Sequence, residues 1–330
     1  MPAYFDSGIL VGESAWHGLG HVIGRDDERK YDLDYCLGAS GLDREIRLGE
    51  CYYYMDTEGG DQVCDVVPDK RVTLIADDDA PGGFRPLGVV GTQYEVLQNR
   101  QAFEWFQPWL DSREVAIETA GSLKDGRVAW VLARIERGDI EISSGDWIRK
   151  YLLFSTSHDG TEANRVGFND TRVVCANTLA AAHNSRLAKM MRVRHTARQT
   201  ESLDAIRDTI NLIDGEFEAT AKHYRKMLDC KLSTSELRRY VKLVCDIEPD
   251  MDEDALSGRL RNRIDRIADL AITGAGQDGT RTVWAAFNGV TQYLTHELAS
   301  DAERRILSNQ GGVGADMNRR AFDLAVQLSS

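Results

Sequence analysis

The hydrophobic pattern changes period at about Thr171, and no other feature constrains the fold of this chain as strongly. Before that point, short runs of strand formers alternate with turn signals. Glu50–Met55 (ECYYYM) is dense in strand formers, and Gln62–Val67 and Arg71–Ala76 are short runs separated by Pro68-Asp69. Asp77–Phe84 reads as a loop, and Pro86–Tyr94 holds an apolar stretch before Gly91. Val115–Ala120 and Arg127–Ile135 flank Lys124-Asp125-Gly126, and Asp-Gly is a strong hairpin signal. Asp139–Ile142 and Ile148–Ser157 read as a further pair around Gly145-Asp146. One helix interrupts the strands. Asn99–Leu110 starts on a residue able to cap, groups Phe103, Phe106 and Leu110 on one face, and is limited in length by Pro108.

After Thr171 the spacing is helical. Val174–Met191 places Leu179, Ala180, Leu187, Met190 and Met191 on one side and Arg186, Lys189 and Arg192 on the other. Ser202–Leu228 carries Leu203, Ile206, Ile210, Ile213, Phe217, Ala221, Tyr224 and Leu228 at spacings of three and four, the signature of a long amphipathic helix. Ser233-Thr234-Ser235-Glu236 matches a capping box, Leu237–Cys245 follows it, and Pro249 ends that helix. Asp254–Ile272, Thr282–Leu298 and Ala315–Leu328 read as three more. The expected class is α+β: a β-rich N-terminal half (1–170) with antiparallel hairpins and one helix, then an α-helical C-terminal half (171–330). The two regions can share one core.

At 330 residues and 42% apolar content the chain can bury a sizeable core, which excludes a collagen, a disordered tail and a small disulfide scaffold. No apolar run approaches the roughly 20 residues of a membrane span. The start, MPAYFDSGILVGESAW, lacks the basic and apolar regions of a signal peptide, so a cytoplasmic protein is expected. The six cysteines are scattered without a CxxC and read as free thiols.

Charge is spread unevenly. The net charge is −13, yet residues 171–200 carry six bases and no acid. Those six are Arg172, Arg186, Lys189, Arg192, Arg194 and Arg198, with Arg165 just upstream. A local acid-free strip can bind phosphates even in an acidic protein, because salt screens charges beyond roughly 8–10 Å. These seven residues are the candidate nucleic-acid contacts. A solvated basic helix face, or one paired with the acidic N-terminal half, is the plainer alternative.

The catalytic candidates are weak. Gly274-Ala-Gly276-Gln-Asp-Gly279 spells GxGxxG, but a helix precedes it where the dinucleotide fingerprint needs a strand, so it reads as an interhelical loop. His17 and His21 are four apart, but two glycines between them disfavour the helix that would let them share a metal. Asp77-Asp78-Asp79 reads as a solvated loop. His158-Asp159 and His183, with Cys175, could enter acid–base chemistry, but no nucleophile motif accompanies them. Trp284, Phe287, Tyr293 and His296 lie on one helix, as core or as a stacking platform. There is no P-loop and no HExxH, and no metal or cofactor is expected.

Several segments together carry a resemblance. Trp16-His17-Gly18-Leu19-Gly20 opens the chain, Gly91-Thr92-Gln93-Tyr94 leads through Gln98-Asn99 into Ala102-Phe103, and Ser157-His158-Asp159-Gly160 follows. Then come Arg172-Val-Val-Cys175-Ala-Asn177-Thr178-Leu179 and, late, Trp284 with Asn288-Gly289-Val290-Thr291-Gln-Tyr293 and His296. The chain resembles the phage/plasmid-like protein family, a group filed under a domain of unknown function. The resemblance implies a mobile-element origin and transfers no catalytic residue. Gly289 in mid-helix costs roughly 1 kcal/mol of helix propensity, which a close helix contact would justify.

Three functions follow as expectations. The first is single-strand DNA binding or annealing in recombination by a homo-oligomer, with no covalent chemistry and with Trp16 or Tyr52–Tyr54 stacking bases. The second is a protein-interaction or host-modulating phage factor that binds a host protein and no nucleic acid. The third is an enzyme built on His158, Asp159, His183 and Cys175.

Overall fold

The computed structural model describes residues 5–12, 20–136, 139–143, 145–172, 177–179, 192–195, 213–299, 308 and 313–330. Among these, strands dominate the first half and helices the second. The strands are β1 (Phe5–Val11), β2 (His21–Ile23), β3 (Ile46–Asp56), β4 (Gln62–Ala76), β5 (Phe84–Gly91), β6 (Val115–Leu123), β7 (Val128–Ile135), β8 (Ile140–Ser143), β9 (Asp146–Ser157), β10 (Asn164–Arg172), β11 (Asn177–Leu179) and β12 (Arg192–Val193). The helices are α1 (Leu33–Ala39), α2 (Asn99–Phe103), α3 (Gln107–Asp111), α4 (Ile213–Asp229), α5 (Thr234–Val244), α6 (Gly258–Thr273), α7 (Val283–Gln292) and α8 (Val313–Leu328). No helix among the described residues is long and apolar enough to cross a membrane.

Nine strands form one sheet in the order β11-β10-β9-β7-β6-β1-β2, with β12 added on β10 and β8 on β9. Every pairing is antiparallel except β1 with β2. The Asp-Gly signal holds: Lys124, Asp125 and Gly126 all take positive φ in the turn between β6 and β7. A separate three-stranded sheet runs β3-β4-β5.

Several local expectations give way to tertiary context. Pro68-Asp69 does not separate two strands. β4 runs through it, and the register against β3 jumps there, from Glu50 opposite Arg71 to Tyr52 opposite Val66. Residues between those pairs bulge out, which is how a strand tolerates a proline that has no N–H to donate. Beyond the bulge, β3 and β4 continue as a two-stranded ribbon, because β5 pairs only with Lys70–Ala76. The helix at Asn99–Leu110 is three pieces, α2, a tight 3-10 turn at Glu104–Phe106, and α3. Pro108 cannot donate to the carbonyl four residues back, so the chain tightens there. Helix α1 was absent from the sequence reading; it is a short helix capped by the Asp32 side chain on Tyr35 N–H. The helix expected over Val174–Met191 is contradicted at Asn177–Leu179, which is strand β11, and Arg192 begins strand β12. Both are edge pairings to β10, and those ladder hydrogen bonds outcompete a local helix.

The C-terminal helices pack on one face of the large sheet, where one core cluster joins Ile117, Val131 and Phe154 of the strands to Tyr224, Trp284, Phe287 and Ala321 of the helices. Phe103 and Phe106 meet Phe154 edge-on, so the helical segment between the sheets closes the same core. Helix α7 is its centre; Val283 through Thr291 are all buried. Gly289 is what lets α6 approach. A Cβ there would lie 2.7 Å from Ala271 N and 2.8 Å from Ile267 O, closer than real carbon contacts. The expected capping box at Ser233 is present, with Glu236 Oε2 accepting from Ser233 N at 2.7 Å. Gly274 to Gly279 forms the loop between α6 and α7, not a nucleotide cradle.

Candidate nucleic-acid interface

Strand periodicity assigns side chains to the two faces of the sheet. On β9, Ile148, Leu152 and Phe154 face the helices. Trp147, Arg149, Tyr151, Leu153 and Ser155 face the other way. Arg134 of β7 lies directly opposite Tyr151, and Arg165 of β10 lies opposite Ser155. Arg134, Arg149 and Arg165 therefore stand on one face, the one turned away from the helices. Part of that face is itself buried: Leu123, Val128, Trp130, Leu132, Tyr151 and Leu153 form a second small core. Trp147, by contrast, is 41% exposed.

The seven basic residues expected to contact phosphate divide as follows. Arg165 pairs with Glu162 at 3.3 Å. Arg192 is its register partner across β10 and β12, and Arg194 is exposed just beyond. Arg172 ends β10 opposite Asn177 of β11. Arg186, Lys189 and Arg198 lie outside the described residues, as do Trp16, His17, Cys175 and His183. Two described pieces of the acid-free segment, β11 and β12, thus pair with the outer edge of the same strand, β10.

The same face holds a cluster that the sequence reading missed. β6 carries a bulge at Glu118, since Ile117 opposes Ala133 but Thr119 opposes Leu132. Arg134 donates to Asp139 Oδ2 at 3.2 Å, and Arg149 Nε stands 3.9 Å from the same oxygen. The Arg149 guanidinium lies beside the Tyr151 hydroxyl and favours its ionised form. Burial pushes the Glu118 carboxyl up, against the pull of Arg25, Arg134 and Arg149. Burial, reinforced by Glu118, pushes Tyr151 up to about 12. The signal available in the sequence was charge set inside apolar runs, a lone one in VAIETAGSL and in VAWVLARI and the pair Arg149-Lys150 in DWIRKYLLFS.

Of the catalytic candidates, His158 and Asp159 lie elsewhere, beside His195, which the sequence did not single out, while His183 and Cys175 fall outside the described residues. His158 is fully buried and donates from Nε2 to Asn99 Oδ1 at 2.8 Å. Ser157 Oγ donates to Asp159 Oδ1 at 2.6 Å, as does Thr161, so the serine hydroxyl is turned away from the imidazole. Burial alone would raise Asp159, but the Ser157 and Thr161 hydrogen bonds outweigh it and hold the carboxyl below its usual range. Tyr94 donates to the Ser157 carbonyl at 2.9 Å and stacks on His195 with ring centroids 4.8 Å apart. Both imidazoles are driven down to about 4, chiefly by burial. They are neutral near pH 7 and poorly suited to general acid–base work there. Gly88 makes room for this turn; a Cβ would lie 2.8 Å from the Asp159 Cα. Trp284 and Phe287 are core residues. Among the described residues no three His, Cys, Asp or Glu side chains are placed to share a metal ion.

A nine-stranded sheet, antiparallel except for β1 with β2, with helices on one face and arginines on the other, defines an α+β protein. The chain belongs to the family described as a domain of unknown function (DUF932), whose family model matches residues 86–319, more than two-thirds of the sequence. No curated protein and no solved structure matches it. The match takes in the arginine face and the histidine turn. The β3–β4 ribbon lies before it.

Proposed function

We propose that this is a nucleic-acid-binding protein, cytoplasmic and of phage or plasmid origin, that holds single-stranded DNA without covalent chemistry, as in annealing during recombination. The observation that supports this most is the placement of Arg134, Arg149 and Arg165 on one face of the sheet, with the exposed Trp147 on that face and β11 and β12 of the acid-free segment paired at its edge. Arginines pair with phosphates, and an exposed indole offers a base a stacking surface. Tyr52–Tyr54, by contrast, sit on a ribbon whose residues 50–69 carry six acids and no base, which disfavours them as a strand-binding platform. The test is fluorescence polarisation of a labelled poly-dT oligonucleotide at about 50 and about 300 mM salt, with light scattering on the same sample. Tight binding that falls steeply with salt, in an oligomer, is expected. Charge reversal of Arg186, Lys189 and Arg192 should abolish it without lowering the melting temperature. Retained binding in that variant removes the strip from the interface.

A second reading rests on the ribbon. Tyr52, Tyr53, Tyr54, Met55 and Val63 are all exposed there, Tyr54 at 66%, within that acidic surround. Such a surface suits a basic protein partner, and with it a host-modulating factor. A lysate pull-down that returns one stoichiometric protein after nuclease treatment, and loses it when the three tyrosines become serine, would favour this reading.

A further inference from the structure

The arginine cluster on β7 and β9 has chemistry that nothing else in the protein uses. Arg134 and Arg149 reach the same Asp139 oxygen, so one carboxylate serves two guanidinium groups. Among the described residues, the Nε–H of each is buried without a hydrogen-bond partner. An unsatisfied buried donor is costly, roughly 1–3 kcal/mol, and here two of them converge from adjacent strands. The side chains are 20% and 23% exposed, so the cluster is reachable from outside. Tyr151 stands opposite Arg134 and on the same face as Arg149, two residues away along β9. Glu118 sits in the bulge alongside.

We propose that Arg134, Arg149 and Tyr151 form a binding site for a tetrahedral oxyanion of the phosphate class, with Glu118 as the side chain that limits its affinity. The two guanidinium groups repel a cation. A neutral ligand offers the two unpartnered Nε–H donors no charged acceptor. Donors from two strands, staggered along them, suit a tetrahedral ion better than a planar carboxylate. The anion is either a backbone phosphodiester of a bound strand or free phosphate. The first source rests on the function proposed above; the second does not.

The experiment uses the full-length protein. Inorganic phosphate is titrated against chloride at equal ionic strength, read by thermal melting and by intrinsic tryptophan fluorescence, and a labelled dT oligonucleotide is titrated separately by polarisation. Phosphate is expected to raise the melting temperature where chloride does not. Arg134→Gln and Arg149→Gln should each weaken phosphate about tenfold, the size of one charge-assisted hydrogen bond. Glu118→Gln should tighten it several-fold, which a merely structural carboxyl would not do. If the arginine variants also weaken the oligonucleotide, the phosphodiester is the source. If they weaken only phosphate, the site stands as a free-anion site, and the sheet face drops out of the strand reading. No phosphate effect beyond chloride in folded wild-type protein, or no gain in Glu118→Gln, overturns the site. Should an arginine variant fail to fold, the Glu118→Gln titration still decides.

Discussion

Trp284 Nε1 donates to Asp146 Oδ2 at 3.1 Å, and both groups are buried. The bond joins the central helix α7 to the first residue of β9, so it ties the helical layer to the sheet at one point. Replacing Asp146 by Ala removes a charged acceptor from a buried indole. We expect a loss of about 2 kcal/mol, read as a lower urea midpoint with an unchanged slope. A change within 0.5 kcal/mol, the range of ordinary surface substitutions, would show that the contact does not hold the layers together.

Gly289→Ala tests the α6–α7 contact. Alanine should gain about 1 kcal/mol of helix propensity, but the added methyl meets backbone atoms of Ile267 and Ala271. Overpacking of that kind costs typically 1–3 kcal/mol, so the variant should be less stable overall. Gly258→Ala, at the start of α6 with nothing within 4 Å, is the control and should stabilise. Stabilisation by both would mean that the helices can move apart freely.

His158 and His195 predict a pH dependence of known sign. Their folded pKa values lie near 4, below the ordinary 6.5. The unfolded chain therefore binds protons that the folded chain excludes between about pH 6.5 and pH 4. Stability is full above pH 6.5 and falls through that window, by about 3 kcal/mol for His158 alone. His158→Gln should flatten the fall in melting temperature between pH 6.5 and 4.5, even if it lowers stability at pH 7. A parallel pH profile in the variant would place the acid sensitivity on carboxylates instead.

The ribbon should be energetically independent of the core. Its tyrosines are exposed, and the third strand stops at Lys70. Tyr52, Tyr53 and Tyr54 changed together to Ser should leave the melting temperature within about 2 °C and oligonucleotide affinity unchanged. A large drop in stability would mean that the ribbon folds back on a surface of the protein in solution.

Local periodicity carried much of the architecture. The alternation in β6, β7 and β9, the Asp-Gly turn and the three-and-four spacing of α4 to α8 are each set by residues close in sequence, where local physics is strongest. Pro68 misled because a bulge, supplied by the partner strand β3, can absorb a proline that local rules read as a turn. Asn177–Leu179 misled because strand β10 offered ladder bonds that the segment could not announce by itself. The cluster of Glu118, Arg134 and Arg149 was illegible for a different reason: its members come from three strands and meet only through register.

The two kinds of region, the turn at Gly126, the capped α5 and the unequal distribution of charge follow from neighbours within a few residues. Long-range pairing settles which arginines share a face, that Ser157 serves Asp159 while His158 serves Asn99, and that Trp284 is a strut to Asp146 and not a stacking surface. Those outcomes depend on pairings between segments far apart in the chain, and a one-residue change of register would reverse the face of every side chain involved.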